Sequence, residues 1–246
     1  MVEIATYANY ALPHKGGKCL VLGMTPELRK FACNFFSEVV SVDASPDAIK
    51  IYRDWVSGEN EVIFLSDWFG FLESTKEYFD VIIGDGVFGN LAGSLDAIHL
   101  LSLVRSRLTH EGSFINRFAL MPENYQDDGW RLESLLKFLR EKKISECDFG
   151  LTARLLSQAH LCYDPKMEIL DCAKSFALLR DACRRDELTA LELDFAERFL
   201  FEGMNWLPVA SSWHSMLEQC EFDYKFSVLE GNLWYEYYPV YKISKI

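Results

Sequence analysis

A chain of 246 residues, half of them hydrophobic, is long enough to bury a sizeable core and suits one α/β domain or a domain with a large insertion. Its formal net charge of −12 argues against a general nucleic-acid surface, where basic side chains would have to dominate, though not against a local basic pocket. Seven cysteines without metal-site spacing, an N-terminus without a charged start and apolar run, and no apolar stretch near roughly eighteen residues point to a cytoplasmic protein with reduced, buried thiols, no metal and no membrane span.

In chain order, the first strand is Cys19–Leu22, closed by Gly23. Thr25 stands where a helix N-cap belongs and Pro26 at the first helical position, so a helix opens there. The second strand, Glu38–Val42, is apolar and β-branched and stops at Asp43. That acid lies about twenty residues beyond Gly23, the distance at which a nucleotide-binding βαβ unit presents a carboxylate to two ribose hydroxyls. The turn Gly23-Met24-Thr25-Pro26-Glu27 holds one glycine where a dinucleotide site wants G-x-G-x-x-G. Pro26 removes an N–H donor, and Glu27 repels a phosphate. A ligand carrying adenosine without phosphate escapes both objections. S-adenosylmethionine is such a ligand, cationic at its amino and sulfonium groups. A plain βαβ unit with a well-capped helix is the alternative reading of these residues.

Ser45-Pro46 repeats the cap and proline, and Asp47–Val56 follows as a helix with Ile49 and Tyr52 on one side. Glu61–Leu65 is a third strand, with Ser66-Asp67-Trp68-Phe69 at its end. Tyr78–Ile83 is a fourth, ending in Gly84-Asp85-Gly86. Leu91–Leu108 has a helical period, and Gly112–Leu120 reads as a fifth strand. Strand-then-helix steps with short loops mean an α/β fold with a doubly wound, mainly parallel sheet, whose ligand lies outside the carboxyl ends of the strands. Gly23, Asp43, Asp67 and Asp85 all fall at that edge.

After Met121-Pro122 the alternation stops. Leu132 to Leu139, Leu151–Leu161, Met167–Leu179 and Leu188–Phe201 carry helical periodicity and predict an all-helical cap, without internal repeats, over residues 124–205. Ser211–Gln219 then reads as a helix and Phe222–Leu229 as a strand. Asn232–Ile243 reads as an aromatic-rich strand joined to it through Glu230-Gly231, forming an antiparallel C-terminal hairpin. Residues 1–123 and 206–246 would then form the sheet domain.

These pieces resemble a class I S-adenosylmethionine-dependent methyltransferase over residues 18–120 and 211–246. Val21-Leu22-Gly23 matches the first motif, Val42-Asp43 the second, Ser66-Asp67-Trp68 the third and Phe79-Asp80-Val81-Ile82-Ile83-Gly84-Asp85-Gly86 the fourth. The one-glycine turn departs from the common form, which has two or three. The resemblance implies a Rossmann-like sheet and S-adenosyl-L-methionine held by Gly23, Thr25, Asp43, Ala44, Ser45, Asp67, Trp68, Asp85 and Gly86. Gly23 would let the methionine part pass close to backbone, and Asp43 would accept from both ribose hydroxyls. Asp67 would take the adenine amino group, with Trp68 or Phe69 beside the ring. Asp85 would lie near the cofactor's ammonium or the incoming substrate. Each acid also reads as an ordinary strand-end or turn residue.

Methyl transfer from a sulfonium is an in-line displacement with an activated leaving group, so the protein must mainly align the reactants and exclude water. A general base is needed only where the nucleophile must lose a proton, and no fixed catalytic motif is present. Asp85 and His160 are the catalytic candidates, while His99 reads as structural. Arg117 either faces the site, to pair with an acidic substrate group, or packs. Tyr7 and Tyr10 precede the first strand, where such enzymes fold a lid. The cap is expected to cover the pocket and set specificity. Arg180, Arg184 and Arg185, interleaved with Asp181, Asp186 and Glu187, read as exposed helix pairs. Trp234, Tyr235, Tyr237, Tyr238 and Tyr241 form sheet packing or a homodimer contact. The expected reaction methylates an oxygen or nitrogen of a small-molecule substrate. A fold-retaining binding protein without catalysis and an NAD-dependent oxidoreductase are the alternatives, the last opposed by the missing G-x-G-x-x-G and by Pro26.

Overall fold

The computed structural model describes residues 2–56, 58–231 and 233–246. Helix α1 (Val2–Ala11) precedes strand β1 (Lys18–Leu22), and strands and helices then alternate. They are α2 (Pro26–Phe35), β2 (Glu38–Asp43), α3 (Pro46–Tyr52), β3 (Glu61–Leu65), α4 (Trp68–Ser74), β4 (Phe79–Asp85), α5 (Ser94–Arg107) and β5 (Leu108–Arg117). The next segment contains α6 (Leu132–Arg140), α7 (Glu146–Thr152), a π-helical turn (Ala153–Ser157), α8 (Ala159–Cys162), β6 (Tyr163–Asp164) and β7 (Ile169–Asp171). It continues through α9 (Cys172–Arg184), α10 (Ala190–Glu197) and β8 (Met204–Trp206). Helix α11 (Ala210–Gln219), β9 (Phe222–Ser227) and β10 (Val240–Lys245) complete the order.

Seven strands form the main sheet in the order β3-β2-β1-β4-β5-β10-β9, with β10 antiparallel to both of its neighbours. Alternation in β1 shows why it is buried on both faces: Leu20 and Leu22 enter one core, Cys19 and Val21 the other. The first core continues through Phe71, Leu100, Phe114 and Trp213, under α4, α5 and α11. The second runs through Tyr7, Leu28, Phe31 and Ile115, under α1 and α2. Arg29 of α2 is fully buried against Glu61 of β3, donating from Nε and Nη2 to the two carboxylate oxygens at 2.7 Å each. Strand order reverses between β1 and β4, so the crevice of this sheet lies at their carboxyl ends.

The segment between β5 and α11 is not all-helical. Strands β6, β7 and β8 form a separate antiparallel sheet, and Met167–Leu179, expected as helix, begins as β7. Leu170 pairs with Asn205, a partner 35 positions away in the numbering, which local periodicity does not register. The helices have their own core around Leu135, Phe149, Phe176 and Leu179. Two of them start on capping boxes, Ser145 with Asp148 and Thr189 with Glu192. A further cluster of Met121, Leu156, Tyr163, Leu170 and Leu207 ties this segment to the sheet, together with a parallel bridge from Met121 to Val209.

The aromatic stretch is a second correction. Leu233–Tyr237 is a 3-10 helix, and the strand starts only at Val240, after Pro239, which lacks an N–H for a ladder. Asn232, the expected start of that strand, lies outside the described residues. The helix expected over 47–56 ends at Tyr52 and tightens into a 3-10 turn, Arg53–Trp55. The fifth strand begins at Leu108 rather than Gly112 and stops at Arg117. All seven cysteines are free thiols, but Cys147 is exposed rather than buried. Among the described residues no helix is long and apolar enough to cross a membrane, and no cluster of His, Cys, Asp and Glu could hold a metal ion.

Candidate functional site

The turn after β1 brings two of the expected residues together. Gly23 has φ of +113°, a conformation that favours glycine, and its N–H donates to Val42 O at 2.8 Å. A Cβ at this position would stand 4.0 Å from Asp43 Oδ2 and meet nothing nearer, so space remains between the turn and the carboxylate. Asp43 itself is half-buried at the end of β2, and its Oδ1 accepts from the Ser45 N–H at 2.8 Å. Ser45 Oγ in turn caps α3 through Ala48 N–H, and Ala44 and Ser45 are exposed. Thr25 occupies the N-cap position of α2, although its side chain makes no capping bond there.

Asp67 and Trp68 have partners within the fold. Asp67 is exposed and caps α4, its Oδ1 accepting from Gly70 N–H at 2.9 Å. The Trp68 indole N–H donates to Val42 O at 3.2 Å.

A polar cluster sits at the ends of β4 and β5. Arg117 forks onto Asp85, from Nε to Oδ1 at 3.0 Å and from Nη2 to Oδ2 at 2.8 Å. Its Nη1 reaches Glu3 of α1 at 3.3 Å, and Tyr235 OH donates to Glu3 at 2.6 Å. The Tyr238 ring lies 4.6 Å from the guanidinium, and its hydroxyl donates to Asp85 Oδ1 at 3.3 Å. Burial opposes the charge of Arg117, but hydrogen bonding and attraction from Asp85 outweigh it and hold its pKa above the ordinary value. Burial, then the Asp85 charge, push the Tyr238 hydroxyl up, and the same causes act on Tyr7. Both phenols therefore remain protonated donors near neutral pH, Tyr7 to Gly84 O at 2.6 Å.

Two cavities flank this cluster. One of about 300 Å³ is lined by Glu3, Tyr7, Thr25, Asp85 and Arg117, among others. The other, of about 370 Å³, lies between the sheet and the β5–α11 segment, and Gly86, Arg154, Asn205, Trp234 and Tyr238 are in its wall. Consecutive residues Asp85 and Gly86 thus contribute one to each. Gly86, with φ of +68°, makes the turn that allows this.

Asp43, Ala44, Ser45, Asp67 and Trp68 line neither cavity, nor does His160, which is half-buried on α8. His99 is exposed, with Nε2 3.4 Å from Glu73. The first turn of α1 lines the smaller cavity, while Tyr10 bonds Ser227 of β9 at 2.7 Å. Sequence reasoning passed over Glu3, Arg154 and Asn205. Arg154 had a legible signal: it is the single charged residue between Phe149 and Ala159 in an otherwise apolar or uncharged run.

No family model matches this chain, and no curated protein does. Solved structures do. The CcbJ methyltransferase from Streptomyces caelestis aligns at TM-score 0.61 and 11% identity, covering 99% of this chain and 95% of that one. The N-methyltransferase NodS from Bradyrhizobium japonicum WM9 aligns at TM-score 0.50 and 11% identity, covering 98% and 93%. A Rhodobacter sphaeroides protein named for the Zn-dependent alcohol dehydrogenases also reaches TM-score 0.61, at 13% identity, covering 100% and 89%. At these identities the likeness speaks for the fold. With its strand order and single antiparallel strand, that fold is the Rossmann-like fold of class I methyltransferases.

Proposed function

We propose that the chain is a methyltransferase that holds S-adenosylmethionine along the carboxyl edge of the sheet. The acceptor would be an oxygen or nitrogen of a small molecule in the cavity beneath the β5–α11 segment. What carries this reading is the open turn at Gly23, where backbone is approachable beside an Asp43 carboxylate oxygen. The surrounding groups fit an adenosine ligand without phosphate, since Pro26 removes a donor and Glu27 adds negative charge at the start of α2. In this reading Asp43 accepts from the ribose hydroxyls, and Asp67 and Trp68 border the adenine. Asp85 and Glu3 would face the ammonium of the methionine part, and Arg117 its carboxylate.

When bound, the cofactor supplies a methyl group that passes to the acceptor's lone pair as the carbon–sulfur bond breaks, its electron pair remaining on sulfur. The chain's own residues bind, orient and keep water out. Tyr238 and Arg117 fix Asp85 at the boundary between the two cavities. Among the described residues no histidine lines either cavity, whereas the carboxylates of Glu3, Glu27 and Asp85 line the smaller one.

Calorimetric titration with S-adenosylmethionine, S-adenosylhomocysteine and NAD tests the reading. Micromolar binding of the first two, and none of NAD, is expected; binding of NAD alone overturns it. A binding protein without catalysis is the second reading, favoured by the one-glycine turn. Cofactor binding without release of S-adenosylhomocysteine across a panel of acceptors would select that second reading.

A further inference from the structure

The larger cavity carries a guanidinium in its wall that no described carboxylate pairs. Among the described residues Arg154 is the one charged residue lining it, and the wall is otherwise apolar, aromatic or neutral. In a chain of net charge −12, Arg154 makes no ion pair with any described carboxylate. Its Nη2 donates to Asn205 Oδ1 at 2.7 Å, while its Nε is buried with no partner. Trp234, also in the wall and 8% exposed, has a buried indole Nε1 with no partner. An unpartnered buried donor is costly unless something else accepts from it.

The support for Arg154 is built rather than incidental. Asn205 Nδ2 donates to Gly89 O at 2.8 Å, which fixes the amide that holds the guanidinium. Ser175 Oγ donates to the Arg154 backbone carbonyl at 3.1 Å. The Phe201 ring lies 5.6 Å from the guanidinium. Arg154 also sits on the π-helical turn Ala153–Ser157, a distortion that costs regular hydrogen bonding and recurs at functional sites.

We propose that this cavity takes a small organic acid, its carboxylate on Arg154 and its apolar, ring-bearing body against Phe118, Phe201, Trp234 and Tyr238. A guanidinium fork matches a carboxylate in two parallel hydrogen bonds. One cation in a mostly apolar wall suits a monoanion, since a more highly charged group would be left underpaired on burial. A volume of about 370 Å³ is at the small end of ligand sites and holds a compound of one substituted ring. The far end of such a molecule lies toward Gly86 and Tyr238, beside the cluster of Asp85 and Arg117. As an assignment of the methyl acceptor, this rests on the methyltransferase reading; as an assignment of the cavity's ligand, it does not.

The test uses the full chain in calorimetry with hydroxybenzoates, hydroxyphenylacetates and the primary amide of each, with and without S-adenosylhomocysteine. At least one acid should bind about tenfold or more tightly than its amide, the scale of a charge-assisted pair. In Arg154→Met that preference should fall to within about twofold, and Arg154→Lys, which keeps charge but not the fork, should retain part of it. Acids that bind no better than amides, a panel in which neither binds, or a preference that survives in Arg154→Met would overturn the proposal. Should Arg154→Met not fold, the acid–amide comparison on the unaltered chain still decides it. Acid binding without any S-adenosylhomocysteine binding would leave this site standing and remove the methyltransferase reading. Cofactor binding without acid preference would do the reverse.

Discussion

At the carboxyl edge of the sheet the charged groups have partners within the fold: Asp43 with Ser45, Asp67 with Gly70, and Asp85 with Arg117 and Tyr238. Beneath the β5–α11 segment Arg154 is held by the neutral Asn205 amide and has no described carboxylate beside it. The two regions also differ in how they are held. The sheet is covered on both faces and contains a fully buried ion pair, Arg29 with Glu61. The inserted helices rest on a smaller core, on capping boxes and on ion pairs with exposed arginines. The contrast is between strand ends that set charges against one another and a pocket under added helices that holds a charge without a counter-ion.

The largest expected effect tests the difference in support. Arg29→Met leaves Glu61 charged and buried, and should cost ~3–5 kcal/mol in urea unfolding. Arg140→Met removes the ion pair to Glu192 from an arginine that is 54% exposed, and should cost no more than ~1 kcal/mol. Equal losses would erase the distinction between the two regions. Next in size, Asp43→Ala should weaken S-adenosylmethionine binding by ~1.5–3 kcal/mol. Unchanged affinity in calorimetry would remove Asp43 from the ribose assignment.

Smaller effects sharpen the account of the inserted helices. Thr189 caps α10 through Glu192 N–H at 3.2 Å, and Thr189→Ala should lower stability by ~1 kcal/mol in thermal unfolding. A melting temperature equal to that of the unaltered chain would mean this cap contributes nothing. The smallest effect concerns pH. The Arg140 fork, helped by Thr189 and opposed by burial, lowers the Glu192 pKa from its ordinary 4.5 to about 2. A depressed carboxylate stabilises the fold above its unfolded pKa and loses that contribution as pH falls through the folded value. The melting-temperature gap between the unaltered chain and Glu192→Gln should therefore be full near pH 6 and shrink from about pH 4.5 toward about pH 2. A gap independent of pH would show that the ionised pair contributes no stability.

Much of the sheet and its edge was legible because the signals are local. Cys19 to Leu22 alternates between two cores, Ser45-Pro46 opens a helix, and Asp43 and Asp85 end their strands, each signal confined to a few neighbouring positions. The partners of the site were not legible in the same way. Arg117 meets Asp85 across 32 residues, Tyr238 meets Asp85 across 153, and Glu3 meets Arg117 across 114. The helical period over Met167–Leu179 was misleading because Leu170 is held by pairing to Asn205, and the aromatic run after 232 because Leu233–Tyr237 coils before Pro239.

By itself, then, the sequence determined the alternating elements, both buried faces of the sheet and the acids at its carboxyl edge, since hydrophobic period, caps and turn residues act over a few positions. Only the tertiary structure decided the three-stranded sheet inside the insertion, the pairing of Asp85 with Arg117, and the placing of Arg154 on Asn205 in the cavity wall. Such contacts join residues far apart in the chain, and their closure entropy is offset only once the cores that bring them together have formed.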